Sequence, residues 1–313
     1  MNERLNRLNQ FKSLMAAIAD PVDEVIYHYT SAEGLRGIIE NSEIWLTNVA
    51  FVNDKTECKA LQEEKALFKD KDFTNSFVRD MWNRFDRHPD DNFDTYIASF
   101  SRGPETLDQW RAYGNFRIGF NANKLMSPRS NVYQCVYIKN KIKNWILKKE
   151  RLKEWQGNSL TDEYKRGAAY NLIYAASMKY KNSHFKNERE VRLISISHHT
   201  WKPFPNSPSM FKDDPPIHYR NHPVYKTPVP YIKFIIDKDE AQPIIVSETE
   251  IEMKQRKLKE ENIRKRDLLP IVEILVGPML HQEEARISCK ILLSDKGYEN
   301  VKTNLSKIPY RGF

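Results

Sequence analysis

Residues 24–53 read EVIYHYTSAEGLRGIIENSEIWLTNVAFVN, and no other stretch restricts the fold as tightly. From Val25 to Thr30 the side chains alternate, with Val25, Tyr27 and Tyr29 on one face and Ile26, His28 and Thr30 on the other. That is the period of a β-strand. Thr30 and Glu33 have the Thr-x-x-Glu spacing of a capping box, so the strand is expected to pass directly into a helix at Ser31. Leu35, Ile38 and Ile39 give that helix an apolar face, Asn41 is its stop, and a short strand follows. His28 and Thr30 then sit beside a helix N-terminus, where backbone N–H groups and the dipole favour anions. The stretch is therefore a candidate site for a phosphorylated small molecule.

The remaining chain alternates strand and helix periods without repeats or an obvious linker. An amphipathic helix over residues 1–20 (Leu5, Leu8, Phe11, Met15, Ile18) is followed by one α+β domain over residues 21–313. Strands are expected at 96–101, 116–120, 132–138, 188–197, 231–237, 271–277 and 301–305. Helices are expected after the turn at 53–57, along the stripe Phe73, Phe77, Met81, Trp82 and Phe85, and over Leu107, Trp110 and Tyr113 up to Gly114. Two more cover 141–181, a highly charged one 248–267, and a last one 281–294. Residues 201–230 hold many prolines and no periodicity, which reads as a long loop. A net charge of +8 fits an anionic partner such as nucleic acid, or simply a basic surface. No apolar run approaches the roughly 20 residues needed to span a bilayer. Cys58, Cys135 and Cys289 are scattered and odd in number, as expected of reduced thiols in the cytoplasm.

Three groups of residues have the types that chemistry needs. In an extended strand Glu188, Glu190 and Arg192 share a face, and two carboxylates beside an arginine are costly inside a sheet. Either they hold a ribose hydroxyl, stabilise a cationic transition state or share a proton, or they pair with each other on a solvent-facing edge strand. Ser99 and Ser101 share a strand face just before Trp110 and Tyr113, a combination suited to stacking and hydrogen-bonding a flat heterocycle. The alternative is that the two rings plug the core. His198-His199 and the HYRNH run at 218–222 do not make a metal site, because the latter lies between prolines in a non-helical stretch and no acidic or cysteine ligand set accompanies them. Nucleophile-elbow, Walker and dinucleotide-binding patterns do not occur.

Taken in order, YHYTSAEGLRGIIENSEIWLTN, NDKTE, SFS, LDQWRAYG, IGF, FKNEREVRLI, ILVGP and SKIPYRG resemble a bacterial family catalogued as domain of unknown function twenty-nine seventy-one, from about Tyr27 to Arg311. HYT followed by a helix is also similar to the first motif of the ADP-ribosyltransferase superfamily, especially the transferases that modify DNA. That resemblance implies a split antiparallel sheet flanked by helices, with NAD as substrate. It implies that His28 holds a ribose hydroxyl flanked by Tyr29 and Thr30, and that Ser99 or Ser101 belongs to the second motif. Glu190 is then the catalytic carboxylate and Glu188 its partner, although the motif also reads with Glu188 as the catalytic member. The pyrophosphate needs helix N-terminal amides or an arginine such as Arg36, Arg111 or Arg192. SFS followed by arginine departs from the serine–threonine–serine of many transferases. The implied activity is ADP-ribosyl transfer to a macromolecule, nucleic acid before protein, in a toxin or phage-defence role. The alternatives are an NAD-consuming hydrolase and an inactive module that senses nucleotide or nucleic acid.

Overall fold

A computed structural model describes residues 24–54, 56–85, 95–127, 130–158, 160–196, 215–222, 226–236 and 267–309, with 6, 9–10, 13–15, 17–18 and 22. The charged helix expected at 248–267, nearly all of the loop's first half and much of the N-terminal helix lie outside the described residues. In chain order the first elements are β1 (Val25–Thr30), α1 (Ala32–Asn41), β2 (Ile44–Asn48), α2 (Ser76–Arg84) and β3 (Thr95–Ser101). Next come α3 (Leu107–Tyr113), β4 (Phe116–Asn121), β5 (Ser130–Gln134), α4 (Lys139–Lys149), α5 (Asp162–Lys179) and β6 (Glu190–Ile196). The last are β7 (His218–Asn221), β8 (Pro228–Phe234), β9 (Ile271–Val276), α6 (Gln282–Asp295) and β10 (Lys302–Leu305). The protein is thus mixed α/β. It has two compact units, one of residues 1–23, 46–103 and 132–232, the other of 24–45, 104–131 and 233–313.

In the second unit the strand order is β10-β9-β4-β1. β1 and β9 both run antiparallel to β4, while β10 is parallel to β9, a departure from a wholly antiparallel expectation. Register places Ile26, His28 and Thr30 in rows with Phe120, Ile118 and Phe116, and Ile118 in turn pairs with Ile274. That face is the apolar one: Ile26, Ile118, Phe120, Ile274 and Val276 are all buried. α1 packs against β1 and β4, and α6 against β9. Leu35, Ile38 and Ile39 of α1 and Cys289 and Leu293 of α6 are the buried positions of these helices, as the spacing in α1 predicts. The cap of α1 falls one residue later than the Thr-x-x-Glu pattern predicts. Ser31 is extended, and its Oγ accepts from the Gly34 N–H at 3.2 Å, while Thr30 stays in the ladder opposite Phe116. A Cβ at Gly34 would collide with Thr30 Oγ1, so the first turn of α1 sits directly on that side chain.

In the first unit β3 and β6 form the longest ladder, antiparallel from Thr95↔Ile196 to Ser101↔Glu190. β5 pairs with the other side of β6, which is therefore an interior strand. α5 is buried almost all round over Ala168–Lys179, as befits a helix enclosed on every side. One side of it joins a large core with Leu61, Val78, Trp82, Ile142 and Ile146. Tyr174 and Met178 join Ile97, Ile194 and Cys58 in a second cluster. Part of the expected 201–230 loop is regular structure. β7 pairs antiparallel with β8, placing Pro228 opposite Asn221 and Pro230 opposite Tyr219. Prolines mask this strand in the sequence, since they hide the alternation and remove two ladder donors.

Candidate active site

Glu190 opens β6, and the chain reaches it through an unusual turn. Residues Ser183–Glu188 form a 3₁₀ turn, and Arg189 takes left-handed backbone angles (φ 46°, ψ 47°) before the strand begins. Glu188 is thus not on the strand, contrary to the expectation that Glu188, Glu190 and Arg192 alternate along one. The turn is fixed by Ser101 Oγ donating to the Glu188 carbonyl at 2.8 Å and by the Arg102 N–H donating to the Arg189 carbonyl at 2.9 Å. The Glu190 N–H donates to Tyr137 Oη at 2.8 Å. The left-handed residue turns Glu188 back, and both carboxylates reach the same ammonium.

That ammonium is Lys181, whose Nζ lies 2.7 Å from Glu190 Oε2, 2.8 Å from Glu188 Oε2 and 3.6 Å from Glu57 Oε2. Its backbone is pinned by a bridge between Val136 and Tyr180. Arg192 completes the network. Its guanidinium approaches Glu190 Oε2 at 3.1 Å, pairs with Glu57 Oε1, and donates to the Met178 carbonyl at 2.6 Å. The Cys135 thiol donates to Glu190 Oε2 at 3.4 Å. Three carboxylates therefore meet two cations, and only Glu188 is open, with 32% of its side chain exposed against 3% for Glu190.

Burial alone would raise the pKa of Glu190, but Arg192 and then Lys181 outweigh it and hold the carboxyl well below its usual range. Glu57 goes the other way: burial raises it, and the nearby Glu190 charge adds to the rise against the pull of Arg192. Two neighbouring carboxylates thus differ in proton affinity because one has the better share of the cations. Burial also raises Cys58 to about 12 and lifts Cys135 well above the usual thiol value, so neither is a nucleophilic thiolate.

Register sets Ser99 opposite Arg192 and Ser101 opposite Glu190, so the two serines, which share a face as their spacing predicts, also share it with Glu190 and Arg192. Their availability differs. Ser99 is exposed and helps hold the Glu190 carboxylate charged, whereas Ser101 is buried with its hydroxyl on Glu188. Arg192 is not a phosphate-binding arginine here, because it is completely buried and engaged by Glu57, Glu190 and Met178. The solvent-facing edge strand fails as well, since β6 is interior and its charges are buried. Glu57 and Lys181 escaped the sequence reading. The signal for Glu57 was the NDKTE run, which reads as a turn; Lys181 carries none.

His28, Tyr29, Thr30, Trp110 and Tyr113 belong to the second unit. His28 is half-buried on the apolar face, opposite Ile118. Tyr29 and Trp110 are both buried and meet edge to face, with centroids 4.8 Å apart. The indole N–H donates to Glu105 at 3.0 Å, so Trp110 plugs the core and offers no open face for stacking. Tyr113, at the end of α3, is exposed. The opposite sheet face carries an unforeseen polar group. Arg117 lies 3.9 Å over the Tyr27 ring and 3.8 Å from Glu273. Gly119 makes room for it, since a Cβ there would come within 2.8 Å of Glu273 Cγ and 3.2 Å of the Tyr27 ring.

No helix among the described residues is long and apolar enough to cross a membrane. No protein-family model, no curated protein and no solved structure matches the chain.

Proposed function

We propose that the protein binds NAD and breaks its nicotinamide–ribose bond, transferring ADP-ribose to a macromolecular acceptor, with nucleic acid favoured by the net charge of +8. The observation that carries this reading is the division between two carboxylates on one ammonium. Glu190 is buried, while Glu188 is held by the same ammonium and is partly open to solvent. In the reaction the ribose–nitrogen bond breaks with its electron pair to the nitrogen, and neutral nicotinamide leaves. Positive charge grows on the ribose carbon, where a fixed carboxylate stabilises the transition state more than the ground state. An acceptor oxygen or nitrogen then adds to that carbon and gives up its proton to solvent water. Glu188 is the group that faces this charge, and Glu190 anchors it, the second of the two assignments that the motif allows. Ser99, an exposed residue whose hydroxyl bonds the Glu190 carboxylate, is a further polar residue on that sheet face.

The proposal extends to an ADP-ribosyltransferase-like fold, which the antiparallel ladders of both units support. It also extends to the cytoplasm, which suits three free, buried thiols, and to a toxin or phage-defence role. A second reading, an inactive nucleotide-sensing module, draws on the burial of Glu190 and its ion pair with Arg192. Incubation with NAD labelled on its adenylate half, together with DNA, RNA or protein, separates these readings. Label on a polymer with free nicotinamide supports transfer. Nicotinamide release without label supports hydrolysis, and NAD binding without release leaves the sensing module.

A further inference from the structure

Lys181 is an unusual lysine: only 5% of it is exposed, its ammonium contacts three carboxylates, and its backbone is fixed next to α5. A lysine needed only to neutralise Glu190 would be redundant, since Arg192 already reaches the same oxygen through both Nε (3.2 Å) and its terminal nitrogen (3.1 Å). Arg192 has no such contact with Glu188, whereas Lys181 Nζ meets the Glu188 carboxylate at 2.8 Å. Glu188 ends a 3₁₀ turn beside Arg189, whose left-handed backbone turns the chain there, and its carboxylate is held to the buried network through Lys181. Lysine suits the task because its compact ammonium offers three donors that can point at separate carboxylates.

We infer that Lys181 is a positioning residue, which aims the open Glu188 carboxylate by clamping it to the buried Glu190. This deepens the NAD-cleaving reading and rests on it for the consequence in turnover, but the clamp itself has a readout that needs no activity. Carboxyl groups held in an ion pair react slowly with a water-soluble carbodiimide and an amine. Labelling of Glu188, read by mass spectrometry, therefore reports the clamp directly, with exposed Glu163 as the internal reference. In Lys181→Met, labelling of Glu188 is expected to rise several-fold relative to Glu163. In the same variant kcat for nicotinamide release is expected to fall about 10–10²-fold with KM nearly unchanged. The double variant Lys181→Met with Glu190→Gln removes the buried cation together with the carboxylate that needs it, and serves if the single variant does not fold. Its Glu188 should label as fast as that of the single variant. Equal Glu188 labelling in the wild type and in either folded variant would overturn the inference. If the labelling rises while no form of the protein releases nicotinamide, the clamp stands and the NAD reading falls.

Discussion

Each unit buries an arginine in a strand beside a carboxylate, and the two environments differ. Arg192 is completely enclosed, meets two carboxylates and a carbonyl, and has no solvent contact. Arg117 lies over the Tyr27 ring, also interacts with Tyr29, and stands 3.8 Å from the Glu273 carboxylate, which is 26% exposed. Water can still screen the second pair, whereas the first has only protein groups to balance it. A charge in the first setting must therefore be matched or the unit fails, and one in the second can be removed at modest cost. The buried network is thus the base on which the partly exposed Glu188 carboxylate is mounted.

The largest effect is expected from Arg192→Met. It leaves Glu57 and Glu190 with one cation between them, and breaking a buried pair by removing one partner costs about 3–5 kcal/mol. Urea denaturation should show that loss, or no folded protein at all; a loss below about 1 kcal/mol would mean that the network is open to water.

Next comes pH. The folded-state pKa of Glu190 is depressed, so its contribution is fully present above the unfolded value of about 4.3 and is lost as pH falls toward the lower folded value. Glu57 is raised and acts in the opposite sense, gaining relative stability once protonated. Urea midpoints should therefore fall more steeply below about pH 4.5 in the wild type than in Glu190→Gln, which lacks the depressed group. Parallel curves would contradict the assignment of the charge to Glu190.

The smallest effect is expected in the second unit. Tyr27→Leu keeps an apolar side chain against Arg117 but removes the ring face, at a cost of about 0.5–1 kcal/mol. A loss comparable to that of Arg192→Met would erase the distinction between the two arginines.

The contrast also explains what the sequence could disclose. β1 and α1 were legible because alternation and helical spacing are local patterns, written within a few residues of each other. The cap slipped by one residue because Thr30 and Ser31 both carry the hydroxyl that a cap needs, and only the ladder decides between them. Ser99 and Ser101 in one group, and Glu190 in another, stood out because each is a polar residue on a strand that ought to be buried; their register with one another was not legible. The network around them was not legible. Glu57 and Lys181 lie in separate polar runs, NDKTE and YKNSHFKNERE, where a buried charge looks like any solvated one. Trp110 invited a stacking role because nothing in LDQWRAYG reveals that Tyr29 and Glu105 enclose it.

The division of labour between the two carboxylates is tested most directly by nicotinamide release from NAD in Glu188→Gln, assayed at a temperature where the variant is folded. Glu188 is partly exposed, so losing its charge should move the melting temperature by only a few degrees. Losing the charge that faces the ribose should lower kcat about 10²–10³-fold with little change in NAD affinity. A folded Glu188→Gln protein that releases nicotinamide at the wild-type rate would contradict the account.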